Sequence, residues 1–197
     1  MGQYFENDKN LKSERKLVNF SIFDKQFELY SDNGVFSKDK FDYGTRLLIS
    51  NLGIYKKNAR LLDLGCGYGA VGIVLKTLYP NLYVDMVDIN LRAVKLSNDN
   101  VKKNGVLCNA FVSNVYSNVV DKYDYIVTNP PIRAGKDIVR EFLFGSIEHL
   151  KDGGELWFVM RKDHGVKSII SELSDKFDIE IVTKDKGFYI VKAVVKK

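Results

Sequence analysis

Hydrophobic and polar residues alternate from Leu17 to Phe23 and again from Gln26 to Tyr30, which predicts a β-hairpin joined across Asp24-Lys25. From Phe41 to Leu52 the apolar positions recur at helical spacing. Gly53 closes that segment, and polar residues from Tyr55 to Asn58 lead to a strand at Arg60 to Leu64. A regular pattern follows. Gly-rich residues 65–72 run into a helix that ends near Tyr79, Pro80-Asn81 turns the chain into a strand at Leu82 to Val87, and a helix extends from about Leu91 to Lys103. Asn104-Gly105 marks the turn into a strand around Leu107 to Val112, and Tyr123 to Thr128 forms another that stops at Asn129-Pro130-Pro131. A helix from about Asp137 to Leu150, a turn at Lys151 to Gly154, a strand at Glu155 to Met160 and a helix from about Gly165 to Phe177 continue the alternation. Ile179 to Thr183 and Phe188 to Val195, joined by Lys184 to Gly187, suit an antiparallel hairpin.

Strands alternating with helices predict an α/β fold. Its mostly parallel seven-stranded sheet carries helices on both faces and an antiparallel C-terminal hairpin, with a separate N-terminal β-hairpin. The 197 residues fit one domain spanning 1–197: an N-terminal hairpin and helix over about 15–53, and an α/β core over about 59–197. With 45% apolar and 12% aromatic residues the chain can bury a core, which excludes intrinsic disorder and small disulfide-stapled scaffolds. The longest unbroken apolar run, Leu156 to Met160, is far too short for a membrane span. The opening Met1-Gly2-Gln3-Tyr4-Phe5-Glu6 has no apolar signal core, and Glu6 stands where a myristoylation motif needs Ser or Thr, so a cytoplasmic location is expected. Cys66 and Cys108 have no second Cys at metal or redox spacing, so no metal site and no disulfide-linked partner is expected. The net charge of +5 permits an anionic partner such as RNA, although 23 of the 30 basic residues are Lys and a solvated Lys-rich surface accounts for it equally.

In open α/β sheets ligands bind outside the carboxyl ends of the strands, so the residues directly after each strand are the places to seek chemistry. Asp63-Leu64-Gly65-Cys66-Gly67-Tyr68-Gly69 follows the first parallel strand and opens a helix, a Gly-rich turn where backbone can approach a ligand closely. Gly67, Gly69 and Gly72 also satisfy G-x-G-x-x-G with Asp88 near the distance of a ribose-binding acid, which keeps a dinucleotide site as a rival. An acid two residues before the first glycine brings nothing to pyrophosphate, whereas Asp63 suits a ligand carrying an ammonium or sulfonium group. Asp88 ends its strand where a carboxylate can accept from both ribose hydroxyls, while Asp85 lies mid-strand. Asn114 could meet the exocyclic amine of an adenine. Asn129-Pro130-Pro131-Ile132 leaves only carbonyls and the Asn amide to bind at its strand end, because two prolines remove backbone donors and fix the loop. If the Asn129 side-chain oxygen and the Pro130 carbonyl each accept one N–H, an exocyclic nucleobase amine is drawn toward tetrahedral geometry with its lone pair aimed at an electrophile. His149 and His164, near helix ends, are assigned surface or capping roles, and Cys66 is read as a small residue that fits the turn.

Asp63-Leu-Gly-Cys-Gly-Tyr-Gly, Asp88 and Asn129-Pro-Pro-Ile, in this order and at these strand ends, resemble a Rossmann-like class I S-adenosylmethionine-dependent methyltransferase that modifies amines. Gly34-Val35-Phe36-Ser37, Asp42-Tyr43-Gly44-Thr45-Arg46-Leu47-Leu48 and Asn129 through Lys136 are similar to the small methyltransferase domain of RsmC-type enzymes, which methylate guanine N2 in 16S ribosomal RNA; the resemblance covers about residues 15–195. It implies S-adenosyl-L-methionine as cofactor, S-adenosyl-L-homocysteine as product, no metal, and ribosomal RNA or the small ribosomal subunit as partner. By the same resemblance Asp63, Gly65, Cys66, Gly67 and Gly69 would hold the methionine part, Thr45 would lie near its amino-acid end, Asp88 would take the ribose, and Ile89 and Asn114 the adenine. Asn129 and Pro130 would be catalytic, with Phe36, Pro131, Ile132, Arg133 and Lys136 lining the substrate entrance. Ile132 departs from the aromatic residue that amine methyltransferases often place after the two prolines, so stacking on a flipped base falls to another residue such as Phe36. Longer RsmC-type members carry an additional N-terminal domain for which this chain is too short. Two further readings stay open: a glutamine-modifying methyltransferase acting on a release factor, and a non-catalytic RNA-binding module.

Overall fold

A computed structural model describes residues 12–196; the reading of Met1 to Glu6 lies outside them. The N-terminal hairpin pairs β1 (Lys16–Ile22) with β2 (Lys25–Ser31), and alternate residues Val18, Phe20, Ile22, Phe27 and Leu29 are buried. Ile22 pairs with Lys25, so the turn is Phe23-Asp24, one residue earlier than the alternation predicts. That register sets Phe20 opposite Phe27 with their rings 5.4 Å apart, and leaves Phe23 in the loop with φ of 49°. Phe41 stacks on the other side of Phe20 at 3.8 Å. Helix α1 (Tyr43–Asn51) follows, capped by Asp42, whose carboxylate accepts from the Thr45 N–H.

The remaining elements are β3 (Arg60–Leu64), α2 (Ala70–Leu78), β4 (Tyr83–Asp88), α3 (Leu91–Lys103), β5 (Cys108–Val112), β6 (Tyr123–Thr128), α4 (Lys136–Phe144), α5 (Ser146–His149), β7 (Leu150–Arg161), α6 (Val166–Leu173), β8 (Phe177–Asp185) and β9 (Phe188–Val195). The sheet order is β5-β4-β3-β6-β7-β9-β8, parallel from β5 to β7, with β9 antiparallel to both of its neighbours. Chain order reverses at β3 and β6, so the crevice above their carboxyl ends is the switch point of the sheet. Two hydrophobic cores fill the two faces. One packs the hairpin, α1 and α2 against the sheet; the other packs the face that carries α4 and α6. Buried Asn100 of α3 ties the layers together, exchanging hydrogen bonds with the Tyr30 N–H and carbonyl and donating to the Tyr68 carbonyl.

Three further boundaries differ from the sequence pattern because of contacts made in the fold. The helix expected over 137–150 breaks at Gly145, where a Cβ would stand 2.6 Å from the Glu141 carbonyl oxygen and 2.9 Å from the Tyr116 ring, and where the Tyr116 hydroxyl takes the Phe142 carbonyl as acceptor. The turn expected over 151–154 lies inside β7, as an excursion between Leu150, which pairs with Tyr123, and Glu155, which pairs with Tyr125. Helix α6 ends at Leu173 rather than about Phe177, and Phe177 begins β8, buried in the core.

Candidate active site

The site grows from strand register. Leu64 pairs with Val87 on one side and with Thr128 on the other, so the residues following β3, β4 and β6 emerge at one height. The buried Thr128 hydroxyl fixes that register by donating to the Leu64 carbonyl at 2.8 Å, and the Gly65 and Cys66 N–H groups both donate to the Val87 carbonyl at 2.9 Å. Within the glycine turn, Gly67 takes φ of +57° and a Cβ there would project into open space. Gly69, at φ of +87°, caps α2 and lies against Ser97, whose Oγ would sit 3.0 Å from a Cβ. One glycine therefore keeps space clear for a ligand and the other seats the turn on α3.

Asp63 is buried at the base of this turn and accepts the Gly72 N–H at 2.9 Å. Burial pushes its pKa up to about 7, the charge of Asp88 adds to the rise, and only the Gly72 hydrogen bond opposes it. No basic side chain among the described residues contributes to holding it ionised. Asp88 accepts from the Gly67 N–H on one oxygen and the Asn90 N–H on the other, each at 2.9 Å, and burial raises its pKa as well. The Ile89 N–H also bonds to this carboxylate, so of its roughly four lone pairs at least one is left for a ligand hydroxyl. Burial and the two acids push the Cys66 thiol well up, which makes it an inert part of the turn.

On the other side of the crevice, the Asn129 side-chain NH₂ donates to Asp42 Oδ2 at 3.1 Å and to Thr45 Oγ1 at 3.0 Å. The Thr45 hydroxyl itself donates to Asp42 Oδ2 at 3.0 Å. Phe188 of β9 forms a wall beside α1, close enough that a Cβ at Gly44 would stand 2.9 Å from its ring, and the Arg161 guanidinium lies 5.3 Å from the ring centre.

These elements enclose a cavity of about 480 Å³, within the roughly 300–1,000 Å³ of small-ligand sites. Asp63, Gly65, Cys66, Gly67, Asp88, Ile89 and Asn114 line it, as do Thr45, Asn129, Pro130, Pro131, Ile132, Arg133 and Phe36. Two expected residues do not line it: Gly69 faces Ser97, and Lys136 is exposed at the start of α4. Sequence reasoning gave no site role to Asp42, Arg161, His164 or Phe188, which all line the cavity. For Asp42 a signal existed, since an acid three residues before Thr45 at a helix start is a cap; nothing local marks Phe188 or Arg161, which strand pairing delivers. A buried carboxyl with no cation of its own, a second acid with acceptor capacity left and an open Gly67 fit a ligand that brings a positive charge and a vicinal diol.

This fold and site define a Rossmann-like class I methyltransferase. The methyltransferase small domain model matches residues 26–192, and the chain belongs to that family of S-adenosylmethionine-dependent enzymes. It is 41% identical over 194 residues to the Bacillus subtilis uncharacterized protein YbxB, covering 96% of each chain. With the ribosomal RNA small subunit methyltransferase C of Aliivibrio salmonicida it shares 36% identity over 154 residues, 76% of this chain and 45% of that one. The chain thus spans about half the length of the relatives of that name. Among solved structures, the T. thermophilus 16S rRNA N2 methyltransferase RsmC, in complex with AdoMet and guanosine, superposes with a TM-score of 0.82 at 24% identity, over 94% of this chain and 52% of that one. No helix among the described residues is long and apolar enough to cross a membrane.

Proposed function

We propose that this protein, acting as one methyltransferase domain in the cytoplasm, methylates the exocyclic N2 amine of a guanine in small-subunit ribosomal RNA. S-adenosyl-L-methionine is the donor and S-adenosyl-L-homocysteine the product. The observation that carries the reading is Asn129: its NH₂ is occupied by Asp42 and Thr45, at the edge of the cavity that holds Asp63 and Asp88. When bound, S-adenosylmethionine supplies a sulfonium methyl open to in-line displacement. Asp63 offers a carboxylate to the cationic end of the ligand, and Asp88 offers its remaining acceptor capacity to the ribose hydroxyls. Asn129 Oδ1 and the Pro130 carbonyl accept the two N–H bonds of the target amine, which turns its lone pair toward the methyl group. Orientation supplies the catalysis, together with the apolar walls that exclude water; sulfur leaves with the bonding pair of the methyl group, and the methylated nitrogen, strongly acidic, gives its extra proton to solvent, so no strong base is needed. Ile132 and Phe36 line the approach of the base, and Arg133 at the rim, with Lys136 beyond it, offers positive charge to the RNA backbone. The similarity to relatives named for small-subunit ribosomal RNA methylation supports the choice of RNA.

The test is methyl transfer from labelled S-adenosylmethionine to small ribosomal subunits, naked ribosomal RNA and total protein from a strain lacking the gene, with nucleosides identified by mass spectrometry. N2-methylguanosine in small-subunit RNA is expected. Label in protein or in another nucleoside overturns the substrate.

A further inference from the structure

We infer that Asp42 is a positioning residue for methyl transfer, which sets the direction of the Asn129 amide; this rests on the reading of Asn129 as the group that holds the target amine. Asp42 Oδ2 collects three hydrogen bonds: the Thr45 N–H at 2.7 Å, the Thr45 hydroxyl at 3.0 Å and the Asn129 NH₂ at 3.1 Å. An ionised carboxylate can only accept. Because the Thr45 hydroxyl spends its single proton on Asp42, its oxygen can only accept as well, and it does so from Asn129 at 3.0 Å. The Asn129 side chain therefore faces two acceptors on one side. Only its NH₂ end satisfies both, and the carbonyl oxygen is left to point the other way. With the amide reversed, its oxygen would meet the carboxylate oxygen, and the target amine would meet a second donor instead of an acceptor.

The residues come from two segments far apart in the chain, Asp42 and Thr45 lying together at the start of α1 and Asp42 being 87 positions from Asn129. The contact still forms reliably, because Asp42 is also the N-cap of α1 and Asn129 is anchored between β6 and two prolines. A cap alone would need only the Thr45 N–H. The two further hydrogen bonds on the same oxygen go beyond capping and lead directly to the amide.

The discriminating variant is Asp42→Ser, which keeps a good N-cap but withdraws the charged acceptor from Asn129. Its kcat for methyl transfer to small ribosomal subunits should fall about 10- to 100-fold, as when an oriented charge-assisted hydrogen bond is lost, with cofactor affinity by calorimetry held within about 2-fold. Asp42→Asn, which caps the helix and offers a neutral acceptor, should recover most of that loss. In the Asn129→Ala background, Asp42→Ser should add less than about 2-fold, because its effect passes through an amide no longer present. The NH₂ resonance of Asn129, identified by its absence from Asn129→Ala, should move upfield in Asp42→Ser free protein, a readout independent of turnover. An unmoved resonance, multiplicative losses in the double variant, or a loss confined to cofactor affinity would each overturn the positioning role. Normal turnover by Asn129→Ala would instead overturn the reading of the site on which it rests.

Discussion

Asp63 offers a sharp test of the site's electrostatics, because its carboxyl is buried without a cation and titrates near 7 instead of its ordinary 3.8. The folded protein keeps the proton up to about pH 7 whereas the unfolded chain releases it near 4, so between these values unfolding releases a proton and stability falls as pH rises. The slope is about 1.4 kcal/mol per pH unit in that window and vanishes above the folded pKa. Asp63→Asn removes the titration while its side-chain oxygen can still accept the Gly72 N–H. Any fixed penalty for the new NH₂ is independent of pH and cancels from the comparison. In the ligand-free proteins, the unfolding free energy of Asp63→Asn minus that of wild type should therefore rise by about 2.5 kcal/mol between pH 5 and pH 8, nearly all of it below pH 7. Urea unfolding at a series of pH values measures this directly, and titrating groups that do not interact with Asp63 contribute equally to both proteins. A difference constant to about 0.5 kcal/mol across the range would refute the argument. The variant should also bind S-adenosylmethionine more weakly, the usual exchange of stability for a destabilised functional group.

Asn129→Ala should retain cofactor binding by calorimetry and lose methyl transfer by about 10²-fold, comparable to removing one positioned group of a transition-state site; near-normal turnover would refute its role. Asp88→Ala should weaken S-adenosylmethionine binding by about 10- to 100-fold, the worth of hydrogen bonds to a charged acceptor, and unchanged affinity would remove the ribose assignment. Gly67→Ala and Gly72→Ala should separate binding from folding. A Cβ at Gly72 would lie 2.5 Å from Met86 Sδ under α2, so that variant should lose about 1–3 kcal/mol in denaturant unfolding. A Cβ at Gly67 meets nothing in the protein, and Gly67 is part of the cavity lining, so that variant should lose only about 1 kcal/mol through its positive φ while cofactor affinity falls.

Local pattern carried most of the secondary structure. Helical and alternating periodicities located the hairpin and the principal helices, which bury one face, and short apolar runs bounded by turn residues located the central strands, which are buried on both. What stayed illegible was produced by contacts distant in sequence. Nothing between Asp137 and Leu150 tells that the Tyr116 ring occupies the space beside Gly145, and nothing near Phe188 tells that antiparallel pairing of Arg161 with Phe188 brings both to the cavity. Asp42 was visible as part of a motif, but its bond to Asn129 depends on how α1 seats against the sheet.

The site itself was more legible than its surroundings, and strand register explains why. Leu64 faces Val87 and Thr128 across two parallel ladders, so Gly65, Asp88 and Asn129 each lie one step beyond paired residues on adjacent strands. In a parallel sheet the hydrogen bonds that set this alignment are internal to the fold, and a slip by one residue would turn the buried faces of β3 and β6 toward the wrong layer. Leu61 to Leu64 and Tyr123 to Thr128 are buried throughout, and each run ends at a half-buried loop residue, Gly65 or Asn129, that opens onto the cavity. Each run holds one buried acid, but Asp124 of β6 accepts from Lys56, Lys151 and the Arg60 N–H, whereas Asp63 of β3 accepts the Gly72 N–H with no basic partner among the described residues, so its carboxyl costs stability. A polar group placed against the pattern of its own strand, next to a turn that leaves a Cβ's worth of space at Gly67, is best accounted for by a ligand that satisfies the one and fills the other.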